Sequence, residues 1–315
     1  MTTAVHAGRG TTSRRAVWWW VRLAAAAGTL AVLVWRLGTS PFLDGLRAVD
    51  GGALAAASGL AVLTTVCCAW RWRIVAHGFG IDLPLGTAVA AYYRSLFLNV
   101  TLPGGVVGDV HRGISHGLRA VAWERAAGQV VQVVLAVAVL LVVPSPVRGT
   151  MPLVALALLV AAAGVALAVA RSRWARELRD ALRAWPTIAL ASALVVAGHA
   201  VTFLIAARTA GATSPPSTLL PLALLVLLAG TLPNIGGWGP REGVTAWAFA
   251  AAGLGAALGV ATAVVYGVMV FVASLPGAVV LVVLWLRRTR SDPWLERALP
   301  GGLGTLARRD GAADV

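Results

Sequence analysis

The chain has 315 residues, 59% of them hydrophobic and only 12% charged, with a formal net charge of +14. A soluble domain cannot wet so apolar a surface, and the absence of any lysine excludes a lysine-dependent phosphate loop and Schiff-base chemistry. The positive charge reads as the arginine that flanks membrane spans on their cytoplasmic side, and no nucleic-acid partner is expected.

Residues 1–16 form a basic cytoplasmic tail. Apolar blocks long enough to cross a bilayer follow at 17–37, 52–70, 128–143, 152–170, 187–207 and 258–286, giving about six full spans. The first is entered through Trp18, Trp19 and Trp20, which suit a membrane interface, so it reads as a retained span. Shorter apolar runs lie at 85–102, 219–232 and 244–258. Helices are expected throughout, because lipid offers a backbone no hydrogen-bond partner. Residues 17–288 form a single transmembrane domain, and 289–315 a polar cytoplasmic tail expected to be disordered. Cys67 and Cys68 sit inside an apolar run as small packing residues, and neither a metal site nor a cofactor is indicated.

Arginine placement sets the orientation. Arg9, Arg14 and Arg15, then Arg71 and Arg73, then five arginines from Arg171 to Arg183, then Arg287, Arg288 and Arg290 mark the cytoplasmic side. Both termini therefore lie in the cytoplasm, in a multi-pass protein of the plasma or inner membrane. An even number of crossings must separate Arg71–Arg73 from Arg171–Arg183, and again Arg183 from Arg287. The segments near 85–118 and 219–258 then make no net crossing and are expected as re-entrant helical hairpins. Such backbone is tolerated only where protein or a wet cavity covers it.

Each of these segments carries a related motif. The first reads Thr101-Leu102-Pro103-Gly104-Gly105-Val106-Val107-Gly108-Asp109, the second Thr231-Leu232-Pro233-Asn234-Ile235-Gly236-Gly237-Trp238-Gly239-Pro240. Three crossings separate them, so the copies enter from opposite faces, as in an inverted repeat with a binding site near the midplane. Glycine and proline free backbone N–H groups, and arginine adds a planar fork, both suited to phosphate. The candidate headgroup-binding residues are Asn99, Gly104, Gly105, Asp109, Arg112, Asn234, Gly236, Gly237, Arg241 and Glu242, with Arg94, Glu124 and Arg125 as secondary candidates. Asp109–Arg112 and Arg241–Glu242 also read as ion pairs steadying kinked helices, and Glu124 and Arg125 as a solvated helix face. His199 reads as a bond to a neighbouring helix in preference to a proton relay. Tyr92 and Tyr93 read as interface anchors or packing. No metalloprotease, dithiol or serine-hydrolase motif occurs, so the chain is not expected to be an enzyme.

Two motifs resemble a known family: Asn99…Pro103-Gly104-Gly105…Gly108-Asp109…Arg112 with the downstream pair Glu124-Arg125, and Leu232-Pro233…Gly236-Gly237-Trp238-Gly239…Glu242. The sequence is similar to the flippase-like membrane family that includes the transmembrane portion of lysylphosphatidylglycerol synthase, from about Trp18 to Arg288. It departs at Ile235, where the family usually has proline, and at Gly267, where an arginine is common. The resemblance implies translocation or handling of a lipid and not aminoacyl transfer, which belongs to a separate soluble domain. The expected partner is a membrane lipid, an anionic phospholipid or a polyprenyl phosphate. The alternatives are an intramembrane enzyme acting on a lipid-linked phosphate, with Asp109 or Glu242 as acid or base, and a non-transporting partner of a cell-envelope synthase.

Overall fold

The computed structural model describes residue 24, residues 27–102, 107–145, 147–149, positions 152, 153, 156, 157 and 160, and residues 184–230 and 239–290. The expected tail 1–16, most of the expected span 152–170, most of the expected tail 289–315, and the motif residues 103–106 and 231–238 lie outside them. The described residues are helical, with no strand among them.

The helices are α1 Ala27–Leu37, α2 Ser40–Ala48, α3 Gly51–Gly78, α4 Leu85–Thr101, α5 Val107–His116, α6 Leu118–Val142, α7 Trp185–Thr209, α8 Pro216–Ala229, α9 Pro240–Ala251, α10 Ala256–Ser274 and α11 Pro276–Arg290. Local chemistry sets their ends. The Asp50 carboxylate accepts from Ala53 N at 2.8 Å and caps α3. The chain leaves α3 through Gly80 at φ +73, where glycine has no Cβ penalty. Pro186 and Pro216 sit in the first turns of α7 and α8, where a missing N–H costs nothing.

Gly51–Gly78, Leu118–Val142, Trp185–Thr209 and Ala256–Arg287 are long and apolar enough to cross a membrane. This is a multi-pass membrane protein. The last stretch is interrupted: α10 ends at Ser274 with Leu275 as its cap, because Pro276 has no N–H to continue the ladder. α6 begins ten residues before the expected start at 128, and that extra length brings Glu124 and Arg125 into the helix. Outward-facing Val279, Val282 and Trp285 on α11 are exposed, as lipid contact requires.

α3 and α7 pack along one another at the centre, with α10 against both. The contacts among α3 to α10 have a regularity. Exchanging α3 with α7, α4 with α8, α5 with α9 and α6 with α10 leaves the set of closely packed pairs unchanged. Thus α3–α4, α4–α5, α5–α6 and α3–α6 touch, as do α7–α8, α8–α9, α9–α10 and α7–α10. Between the halves, α3–α10 is matched by α6–α7, and α4–α10 by α6–α8. A core of Phe203, Leu219, Leu222, Phe249, Tyr266 and Met269 fills the second half.

Candidate functional site

The charged residues of the first half meet where α3, α4, α5 and α6 come together. Glu124, with no exposed surface, lies at the centre. Arg71 Nε donates to Glu124 Oε1 at 3.0 Å, Arg71 Nη2 bonds the same oxygen, and Arg112 Nη2 donates to Oε2 at 3.0 Å. The Tyr92 hydroxyl adds a donor to Oε1 at 3.2 Å, and Arg71 Nη1 reaches Ser192 Oγ on α7 at 2.8 Å. One layer out is Asp109. It accepts from Arg112 Nη2 at 3.1 Å, Ser95 Oγ at 3.0 Å, Asn99 Nδ2 at 2.9 Å and Arg125 Nη2. The Asn99 amide oxygen accepts from Gly108 N at 2.8 Å, so one side chain ties the end of α4 to the start of α5.

Two further features hold this geometry. The Arg112 guanidinium is stacked between aromatic rings, with Cζ 4.5 Å from the Trp72 centroid and 4.2 Å from that of Tyr92. Glycines supply the close approaches. A Cβ at Gly108 would run into the Ser95 carbonyl, and one at Gly128 would lie 2.7 Å from Arg71 Nη1. Asp109 is outside the four spanning helices. Burial works against its charge, but Arg125, Arg112 and Asn99 outweigh that and hold its carboxyl below the usual range.

Three arginines thus face two carboxylates, leaving one positive charge in excess. Among the described residues, Arg112 Nε and Nη1 and Arg125 Nε meet no hydrogen-bond acceptor. Arg112 is fully buried, whereas the Arg125 side chain is 38% exposed, so Arg125 is the most exposed of the three arginines.

The second half carries a smaller group. Glu242, in the first turn of α9, accepts from Gly239 N at 2.6 Å on Oε2. Arg241 Nε and Nη2 donate to its Oε1 at 3.0 and 2.7 Å. Gly239 sits at φ +114, a conformation that favours glycine and turns its N–H onto the carboxylate. Arg241 also lies over the Tyr266 ring, 5.4 Å from its centroid, and the Tyr266 hydroxyl meets His199 Nδ1 at 3.3 Å.

A family model described as the lysylphosphatidylglycerol synthase TM region matches residues 19–277. The chain belongs to that family. The match takes in α1 to α10 and every residue of both charged groups. No curated protein and no solved structure matches the chain.

Within this lysylphosphatidylglycerol synthase TM-region chain, the structure brings together Asn99, Asp109, Arg112, Glu124 and Arg125 from the candidate set. Arg241 and Glu242 form the second group, and Arg94 lies half-buried on α4. Gly104, Gly105, Asn234, Gly236 and Gly237 lie outside the described residues. Two sequence readings change. Glu124 is not on a solvated face but fully buried between two arginines, because α6 starts early enough to carry it inward. Arg71 is 5% exposed and paired, so of the two arginines after the second span only exposed Arg73 remains a flanking charge. Of the two readings of Tyr92, interface anchor or packing, its 2% exposure and its bond to Glu124 fit packing. Arg71, Tyr92, Trp72 and Ser95 had no signal pointing to the site beyond polar or amphipathic groups one or two turns from charged ones. His199 does bond a neighbouring helix, through Tyr266.

Proposed function

We propose that this protein binds the anionic, phosphate-bearing headgroup of a membrane lipid at the α3–α6 cluster and passes it across the bilayer. The carrying observation is the uncompensated arginine charge in the buried cluster, with Arg125 as its exposed member. Ion pairing alone does not account for it. A buried ion pair is commonly no more stabilising than apolar packing of the same volume. An arginine at the bilayer centre costs at least about 2.5–3.5 kcal/mol. A phosphate supplies the missing negative charge, and guanidinium forks suit its oxygens.

The symmetric contact pattern and the repeated T-L-P and glycine motif support an inverted repeat whose two loops dip into the bilayer as re-entrant hairpins, between about six full spans. The Arg241–Glu242 pair is then the second station of the headgroup's route. The protein lies in the plasma or inner membrane with both termini cytoplasmic. The membership in a lysylphosphatidylglycerol synthase TM-region family supports a lipid as the ligand. Transport in preference to catalysis is supported by the state of the acids. Both Glu242 oxygens are occupied, and Asp109 and Glu124 are held by arginines, so none is poised to move a proton.

Reconstitution into vesicles with labelled phosphatidylglycerol tests this reading. Transbilayer movement well above protein-free vesicles is expected, and Arg125→Gln reduces it. Movement no faster than in protein-free vesicles, with phosphatidylglycerol and with a polyprenyl phosphate alike, contradicts it.

A further inference from the structure

α3, α4, α7 and α10 leave a cavity of about 70 Å³ between them. Its wall includes Ala61, Thr64, Leu96, Thr202, Met269 and Ala273. Several polar residues also face it, and most of their hydroxyl hydrogens are spent elsewhere. Thr64 Oγ1 donates to Ala61 O at 3.1 Å, Thr202 Oγ1 to Gly198 O at 2.8 Å and Ser274 Oγ to Phe271 O at 2.7 Å. The Tyr92 hydroxyl is given to Glu124, and His199 is engaged with Tyr266. A wall of methyls and satisfied hydroxyls suits hydrocarbon, since ordered water needs two to four polar partners.

The position of this cavity is informative. The exchange that relates the two halves would put its counterpart among α3, α6, α7 and α8. There Ala136, Val196 and Leu224 pack with Leu135, Val139, Leu227 and Leu228. The cavity therefore lies between the halves on the α4 side, next to the charged cluster, and the matching place on the α8 side is packed. It also shares a partition with that cluster. The Tyr92 ring carries the Arg112 guanidinium and also lines the cavity. On α3, Cys68 lines the cavity one turn before Arg71, which holds Glu124. Charge and apolar space stand back to back, the arrangement an amphiphile needs.

We infer that the cavity takes a hydrocarbon segment of the same lipid whose headgroup the cluster holds, so that one chain enters the helix bundle. This rests on the headgroup reading above. An engineered apolar cavity of about 150 Å³ holds benzene, so the room here matches roughly three carbons, a chain end or bend and not two whole chains.

The test uses the full chain in lipid nanodiscs with phosphatidylglycerol carrying a diazirine at the end of one acyl chain, and adducts mapped by mass spectrometry. Adducts are expected at Leu96 and Met269 in addition to lipid-facing positions. Diacylglycerol with the same diazirine, lacking the phosphate, labels these two residues less. Ala61→Phe fills the space and abolishes the Leu96 and Met269 adducts while phosphatidylglycerol stays bound. Ala273→Leu gives the same result should the larger side chain prevent folding. Phosphatidylglycerol bound normally, with adducts confined to outward residues such as Val279, Val282 and Trp285, overturns the cavity assignment alone. Equal labelling by diacylglycerol also overturns it. Failure to retain phosphatidylglycerol overturns the headgroup reading with it.

Discussion

Glu124 is the residue on which the cluster turns. Its two oxygens meet Arg71, Arg112 and Tyr92, from three different helices. Removing one partner of a buried pair leaves the other charge uncompensated, at a cost of about 3–5 kcal/mol. Glu124→Gln should therefore lower stability on that order, read as a fall in melting temperature in detergent. Arg125→Gln should cost much less, because Arg125 is partly exposed and its loss leaves two arginines against two carboxylates. Equal stability of Glu124→Gln and the parent would show that the pairing is not as described. Part of this was legible in the amino-acid string. Asn99, Asp109 and Arg112 lie close together in a glycine-broken motif, and Arg241 and Glu242 are adjacent. The Arg71–Glu124 pair joins residues on helices far apart in the chain, and a lone arginine near the end of a span reads as a flanking charge.

At the level of helices, glycine sets how closely neighbours approach. Gly108 brings α5 against the backbone of α4 at Ser95, and Gly277 brings α11 against the backbone of α4 at Tyr93. Backbone cannot move aside as a side chain can, so Gly108→Ala should cost about 1–3 kcal/mol or more as overpacking. Gly86, also in α4, has open space within 4 Å of where a Cβ would stand, and Gly86→Ala should be neutral or stabilising by about 0.5–1 kcal/mol. Thermal unfolding of the two variants side by side checks the ordering; a Gly108→Ala protein as stable as Gly86→Ala would refute the close approach. Four of the six expected spans, those at 52–70, 128–143, 187–207 and 258–286, were readable from hydrophobic run length, but not the break at Pro276 or the early start of α6. A helix that is apolar all round has no periodic stripe to mark its ends or its inward face.

For the whole molecule, the exchange of α3–α6 with α7–α10 preserves packing but not chemistry. One half holds a buried cluster of five charged residues and borders the cavity through α3 and α4, the other holds an adjacent Arg–Glu pair. The repeated motif falls at matching places in the exchanged sets, between α4 and α5 and between α8 and α9, whereas their unequal chemistry depends on contacts between distant helices. The proposed anionic headgroup would balance the excess positive charge of the first-half cluster. The most direct measurement is lipid retention by native mass spectrometry, comparing phosphatidylglycerol with phosphatidylcholine on the parent and on Arg125→Gln. The expected result is selective retention of phosphatidylglycerol by the parent and loss of that selectivity in Arg125→Gln. Equal retention of the two lipids by the parent, or a selectivity that Arg125→Gln leaves intact, would contradict the assignment of the cluster as a headgroup site.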